Sequence, residues 1–190
     1  MVLGLAILVY VGVVVIWGDP ITGALAHRSQ RGLAREFARQ ERAPARLRHV
    51  AEGHALGRIV IPRLGLAAVF VEGTSESDLE KGPGHYRVTA LPGRGPTVAI
   101  AGHRTTWGAW FRHLDQLREG DRIELQLSYG TFVYRVTGER VVAKNDWSIL
   151  GDRGYARLVL STCDPPYSAS HRRVAFARQV SGPQVGPAVS

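Results

Sequence analysis

The apolar and polar positions divide the chain into three parts with different patterns. Residues 2–17, "VLGLAILVYVGVVVIW", form an apolar run without charge or proline. Extended through Gly18, the run reaches about 17 residues, the short end of what crosses a bilayer as a helix. It is longer than the apolar region of most signal peptides, which is the alternative interpretation, and no small-x-small cleavage site closes it cleanly. We therefore expect a membrane anchor over residues 1–19.

The second part, residues 20–54, is rich in arginine and alanine. Leu25, Leu33 and Phe37 fall at helical spacing among the charges, and Pro44 is a natural terminator. This pattern predicts a polar juxtamembrane stalk helix. A solvated face is the commoner explanation for its arginines, although anionic lipid headgroups could also contact them.

The third part alternates with a period of two. "DRIELQLSYGTFVYRVTGERVVA" indicates a hairpin with its turn at Ser128–Thr131, and further short β-branched runs lie on both sides of it. Six to eight strands with one or two small helices predict a mainly β fold, a closed and mainly antiparallel barrel over residues 55–181. Long helices do not alternate with the strands, which disfavours a doubly wound fold. Residues 182–190 form a tail.

Composition narrows the chemistry that this barrel can perform. The net charge is +8, but aromatic residues are not interleaved with basic clusters, so we expect no nucleic-acid partner. Cys163 is the only cysteine. A single cysteine excludes an intramolecular disulfide and an all-cysteine structural zinc site.

The candidate reactive groups stand where strands meet loops. Cys163 ends the run "RLVLSTC", His103 ends "TVAIAGH", and Arg172 or Arg173 opens "RRVAFARQV". Strand ends are where a rigid scaffold presents reactive side chains. A buried thiol and an unrelated polar histidine would be the usual interpretation of either residue alone. Together, the three segments predict that the side chains converge at one rim of the barrel.

The segments "AIAGHR", "LVLSTC" and "HRRVAFA" resemble the sortases, the cysteine transpeptidases that anchor proteins to Gram-positive cell walls. The resemblance extends over roughly residues 55–180. The stretches "GHRTTWGA" and "TCDPPYSASHR" are most similar to class E sortases of high-GC actinobacteria.

The resemblance implies a role for each matched residue. Cys163 would be the nucleophile and His103 the general acid and base. Arg172 would stabilise the oxyanion, and it is preferred over Arg173 because "RRVAFA" matches the family strand from its first arginine. The implied substrate-binding residues are Ala101, Gly102, Trp107, Thr162 and Arg173. Trp107 departs from the tyrosine that class E members often carry.

The implied reaction is a double acyl transfer. A sorting signal of LAxTG or LPxTG type is cleaved between Thr and Gly, and a cell-wall or pilin amine resolves the thioester. The resemblance requires no cofactor. The acids Glu72, Glu76, Asp78 and Glu80 could bind calcium, as in some sortases, or form a solvated turn. The implied location is the cell membrane, with a single lipid-embedded helix and an extracytoplasmic catalytic domain, although no basic residue precedes the apolar run.

Three other functions are weighed against this one. L,D-transpeptidases also use cysteine, but in a "SxGCxR"-like motif rather than "STCDPP". A non-catalytic, membrane-tethered barrel would use Cys163 only for packing. A metal site would have to combine Cys163 with His103, Asp164 or His171, and this spacing fits no common zinc pattern.

Overall fold

A closed barrel of eight strands forms the body of the protein, as the alternating pattern predicts. The computed structural model describes residues 19–42 and 50–183, together with 4–5 and 12. The strand order around the barrel is β1-β2-β3-β4-β7-β8-β6-β5. The strands are β1 Ala55–Ile61, β2 Leu66–Glu72, β3 Gly84–His85, β4 Thr97–Ala101, β5 Arg122–Leu127, β6 Gly130–Ala143, β7 Arg157–Asp164 and β8 His171–Ser181.

The predicted membrane anchor, residues 1–19, falls almost entirely outside the described residues, which include only 4, 5, 12 and 19 of it. Among the helices within the described ranges, none combines the length and apolarity needed to cross a bilayer.

Strand direction determines which loops share a rim. All neighbouring strands pair antiparallel except β2 with β3 and β4 with β7. Because β4 and β7 are parallel, their last residues lie at the same end of the barrel. β8 runs antiparallel to β7, so the first residues of β8 lie at that end too.

Two apolar layers lie on opposite sides of β7. Leu158 and Leu160 point into the barrel interior, where they join aromatic residues such as Phe70 and Phe132. Val159 belongs to a separate layer on the outer surface of β4, β7, β8 and β6. This alternation follows from the period-two geometry of a strand, and the outer layer therefore marks the side on which Val159 and every second residue of β7 lie.

The segment expected to be a stalk contains helix α1 (Pro20–Arg42), which is docked on the barrel. Leu33 and Phe37 are buried against Val69 and Val71 of β2. The Gln30 amide hydrogen-bonds both backbone groups of Val69 at 2.8 Å, donating to the carbonyl and accepting from the amide. The helix therefore covers the outer side of β2 instead of projecting freely, while its arginines stay exposed on the other side.

The first turns of α1 also contact the loop that follows β4. The backbone amide of Trp107 donates to Thr22 Oγ1 at 2.9 Å, and the His27 and Trp110 rings meet edge to face at 5.3 Å. The loop that begins at His103 is thus held partly by a helix outside the barrel.

We expect Phe37→Ala to lower the free energy of unfolding by about 3 kcal/mol, because it removes a buried ring and leaves a cavity between helix and barrel. Leu25→Ala on the same helix is the matched control, since Leu25 is exposed and its loss should change little. Urea denaturation of both variants measures the difference. Equal stability of the two variants would show that α1 does not dock in solution.

The small helices that accompany the strands are each a single turn long. Helix α2 (Glu76–Leu79) begins at a capping box, in which Ser75 and Asp78 bond each other's backbone amides. The stretch "AWFRHLDQLREGD", residues 109–121, forms turns and one 3-10 turn at Leu114–Gln116. Leu117 is extended, with a ψ angle of 142°, and ends this turn.

Candidate active site

Three strand ends meet at one rim of the barrel, and each carries one of the predicted reactive residues. In the parallel pair of β4 and β7, Ala101 lies opposite Ser161. The Gly102 amide continues this pairing by donating to the Ser161 carbonyl at 3.0 Å. In the antiparallel pair, Cys163 lies opposite Arg172. If the same register is continued along both strands, His103, which follows β4, lies level with Cys163 near the end of β7.

Cys163 is half-buried and lies on the outer side of β7. It is two and four positions beyond Ser161 and Val159, and Val159 belongs to the outer apolar layer. Directly opposed residues of an antiparallel pair share a face, so Arg172 lies on the same side as the thiol. Val174 and Phe176 also belong to the outer layer, so they share the face of Arg172.

The two neighbouring arginines have different environments. The Arg172 guanidinium donates to the main-chain carbonyls of Ala169 and His171, at 3.2 and 3.0 Å. Arg173 lies opposite Thr162 on the other face of the sheet. It pairs with Asp164 at 3.2 Å and with Glu139 at 2.9 Å. Arg173 thus forms ion pairs with two carboxylates, whereas the Arg172 hydrogen bonds described here are to neutral carbonyls.

The His103 side chain is partly buried, and its Nε2 atom has no hydrogen-bond partner among the described residues. Burial disfavours the imidazolium and lowers the pKa of His103, and the carboxylates of Glu80 and Glu76 oppose this shift. The net direction is downward, so the ring is mainly neutral at pH 7. A neutral imidazole can accept a proton from a thiol.

We expect Glu80→Gln to lower the pKa of His103 further, because it removes a carboxylate that favours the imidazolium. An NMR titration of the histidine ring protons measures the shift. Glu119→Gln is the matched control. A pKa that stays the same or rises in Glu80→Gln would show that this carboxylate does not act on the ring.

The predicted substrate-binding residues occupy distinct positions around these groups. Ala101 and Gly102 are buried at the end of β4, and a Cβ added at Gly102 would lie 2.7 Å from the Phe111 ring. The Thr162 hydroxyl is buried and donates to the Gly102 carbonyl at 2.8 Å, which ties β7 to β4. Trp107 is partly exposed in the loop, with a φ angle of 50°.

Sequence reasoning missed Arg104, the most buried charged group at this rim. Its side chain is 7% exposed and contacts the carbonyl of Cys163 and the carboxylate of Asp164. Arginine is usually a surface residue, so only its adjacency to His103 in "GHR" could have singled it out.

Two of the acidic residues predicted as possible calcium ligands, Glu72 and Asp78, contact other protein side chains. Glu72 lies 3.1 Å from Nδ1 of the buried His85, and Asp78 accepts from the Ser75 hydroxyl at 2.6 Å. Within residues 19–42 and 50–183, no three His, Cys, Asp or Glu side chains are grouped so as to hold a metal ion.

Comparison with known proteins identifies the family. The family model of the sortase domain matches residues 59–180. Sortase D of Bacillus subtilis (strain 168) is 39% identical over 133 residues, covering 68% of this chain and 66% of that protein. The chain covers between 54% and 66% of the length of the curated sortases that it matches.

Solved structures agree with this result. Sortase E from Streptomyces avermitilis is 34% identical, with a TM-score of 0.63 over 70% of this chain and 93% of that one. A Clostridium perfringens sortase D5 transpeptidase has a TM-score of 0.70 over 83% of this chain and 99% of that one, and at 23% identity it supports the fold alone. Because the matched domain exceeds half of the chain and contains all three strand ends described above, this protein belongs to the sortase family.

Proposed function

We propose that the protein is a membrane-anchored cysteine transpeptidase of the extracytoplasmic face. It cleaves an LAxTG-like or LPxTG-like sorting signal between Thr and Gly, and it transfers the acyl group to a cell-wall or pilin amine. The observation that carries this proposal is the cross-strand pairing of Cys163 with Arg172, beside the strand that leads into His103.

In the first half-reaction, Cys163 Sγ attacks the carbonyl carbon of the signal's threonine. The thiol proton passes to the neutral ring of His103, and a tetrahedral intermediate forms. His103 then gives the proton to the departing glycine nitrogen as the C–N bond breaks. The products are a thioester on Cys163 and a free amine, and His103 is neutral again.

In the second half-reaction, the amine of the acceptor attacks the thioester carbonyl. His103 takes a proton from this amine, and the C–S bond breaks to release the thiolate. Returning the proton to sulfur restores the resting enzyme. One peptide bond is broken and one is formed, so the cycle needs no oxidant, metal or nucleotide.

Arg172 is suited to stabilise the oxyanion in both steps. It lies on the side of the thiol, and it donates to the neutral carbonyls of Ala169 and His171, which a developing negative charge can replace. A preoriented cationic donor at such a position stabilises a transition state more than it stabilises the neutral substrate carbonyl. The Arg172 guanidinium can also donate a hydrogen bond to a peptide carbonyl of the sorting signal.

Aromatic residues at the edge of the outer apolar layer suit binding of the apolar residues of a sorting signal. The layer lies on the same side of the sheet as Cys163. Its centre is buried, and Tyr86 and Phe176 are half-buried at its edges. Trp147 continues this surface, meeting Tyr86 edge to face while remaining 65% exposed. A surface that joins apolar side chains to a few directional polar groups suits an extended peptide. We propose the class E preference, LAxTG over LPxTG, on the motif similarity described above.

The test uses the full chain in detergent with fluorogenic LAxTG and LPxTG peptides and a short glycine peptide as acceptor. We expect cleavage between Thr and Gly, a ligated product by mass spectrometry, and faster turnover of LAxTG. A peptide with the Thr–Gly order reversed is the matched control. Absence of cleavage and ligation would favour the non-catalytic barrel, and cleavage at another bond would exclude the proposed specificity.

A further inference from the structure

We propose that Arg104 is a positioning residue that fixes the nucleophile strand against the loop carrying His103. This inference deepens the proposed function and rests on it. Arg104 directly follows His103, and its side chain reaches back to the backbone of Cys163. One residue thus connects the two elements that must keep their spacing during proton transfer.

The contacts of Arg104 join its own loop to two other segments. Its Nη1 atom donates to the Cys163 carbonyl at 3.2 Å and to the carboxylate of Asp164. Its Nη2 atom donates to Asp115 at 3.3 Å, beyond the loop that begins at His103. The planar guanidinium holds its donors in a fixed geometry, which makes it a better spacer than a flexible ammonium group.

Arg104 also neutralises the charge next to the nucleophile. Burial disfavours ionisation of Asp164, but hydrogen bonds from Arg104 and Arg173 and their positive charges outweigh burial and lower its pKa. Asp164 is therefore a carboxylate one residue from the thiol. With Arg104 removed, this carboxylate would retain only Arg173 and would disfavour a thiolate at Cys163.

A purely structural role would be visible as lost stability alone. Removing one partner of a buried ion pair is destabilising, so a fall in melting temperature does not separate the two roles. The separating measurement is the reactivity of the thiol in folded protein. It is well defined here because Cys163 is the only cysteine of the chain.

The experiment measures iodoacetamide alkylation of Cys163 against pH, by intact mass, in the full chain and in Arg104→Gln. We expect the rate of the variant at pH 7 to fall about tenfold and the midpoint of its profile to move to higher pH. Arg104→Lys should give an intermediate alkylation rate, because lysine keeps the positive charge but lacks the paired donors of the planar guanidinium. Arg122→Gln is the matched control, since it breaks an exposed pair on β5, and its profile should match the wild type.

Peptide turnover supplies the second readout. We expect Arg104→Gln to lower kcat about tenfold or more while KM changes less, because Arg104 acts through the reacting groups and not through the peptide. Profiles and kcat values of folded Arg104→Gln that match the wild type would overturn the proposal. If Arg104→Gln does not fold, Arg104→Lys decides by the same two measurements, and wild-type values in it would overturn the proposal.

The positioning role of Arg104 and the transpeptidase function can be contradicted independently. Alkylation needs no peptide, so an Arg104-dependent profile in a chain that cleaves no sorting signal would contradict the transpeptidase function and retain the positioning role. Normal peptide turnover with an unchanged alkylation profile in the Arg104 variants would contradict the positioning role and retain the transpeptidase function.

Discussion

Cys163→Ala should reduce peptide cleavage to background, a loss of at least about 10³-fold, because no other group in this chemistry can carry the acyl intermediate. Cys163→Ser should be similarly inactive, since a hydroxyl is a far weaker nucleophile when its activation is designed for a thiol. Both proteins should fold, because the Cys163 side chain is only half-buried at the end of its strand.

The measurement is initial velocity on the fluorogenic peptide, with melting temperature as the check on folding. The serine variant controls for packing, since it keeps the size and polarity of the site. Retained turnover in Cys163→Ala would exclude the mechanism and favour a barrel in which the cysteine is structural.

Arg172→Gln should lower kcat by about 10²–10³-fold, the usual effect of removing an oxyanion donor. The matched variant is Arg173→Gln, one residue along the same strand. It removes ion pairs with Asp164 and Glu139, so its main expected effect is lower stability, with a kcat loss of about tenfold or less. The two variants change the same functional group on opposite faces of one sheet.

Steady-state kinetics on both variants separates the two arginines. A larger kcat loss in Arg173→Gln than in Arg172→Gln would assign the oxyanion role to Arg173. It would also mean that the pairing of Cys163 with Arg172 does not determine which guanidinium meets the substrate. Equal small losses in both would remove arginine from the chemical step.

The barrel was predictable because period-two alternation is a local property of each strand. That His103 and Cys163 stand at the ends of neighbouring strands was predictable in outline, since both end apolar runs, and the convergence of their side chains stays a prediction. Their shared rim depends on the parallel pairing of β4 with β7, which the residues alone do not specify and the family resemblance implied.

The docking of α1 was not predictable from its polar pattern. Much of the attachment is made by glutamine amides, with Gln30 bonded to Val69 and Gln40 donating to the Ala55 carbonyl at 2.9 Å. Hydropathy scales score glutamine as a polar residue, so a hydropathy pattern predicts that it faces solvent. Arg104 was missed for a related reason, because its burial depends on Asp164, sixty residues away in sequence. Polar groups that are buried by distant partners leave no periodic signal.

The central claim, that Cys163 carries the acyl group, is tested most directly by intact mass. The full chain is incubated with an LAxTG peptide without an acceptor amine, quenched in acid and weighed. We expect an added mass equal to the peptide up to its threonine, mapped to Cys163, removed by hydroxylamine and absent from Cys163→Ala. Cleavage of the peptide with no such adduct, or the same adduct in Cys163→Ala, would exclude acyl transfer through Cys163.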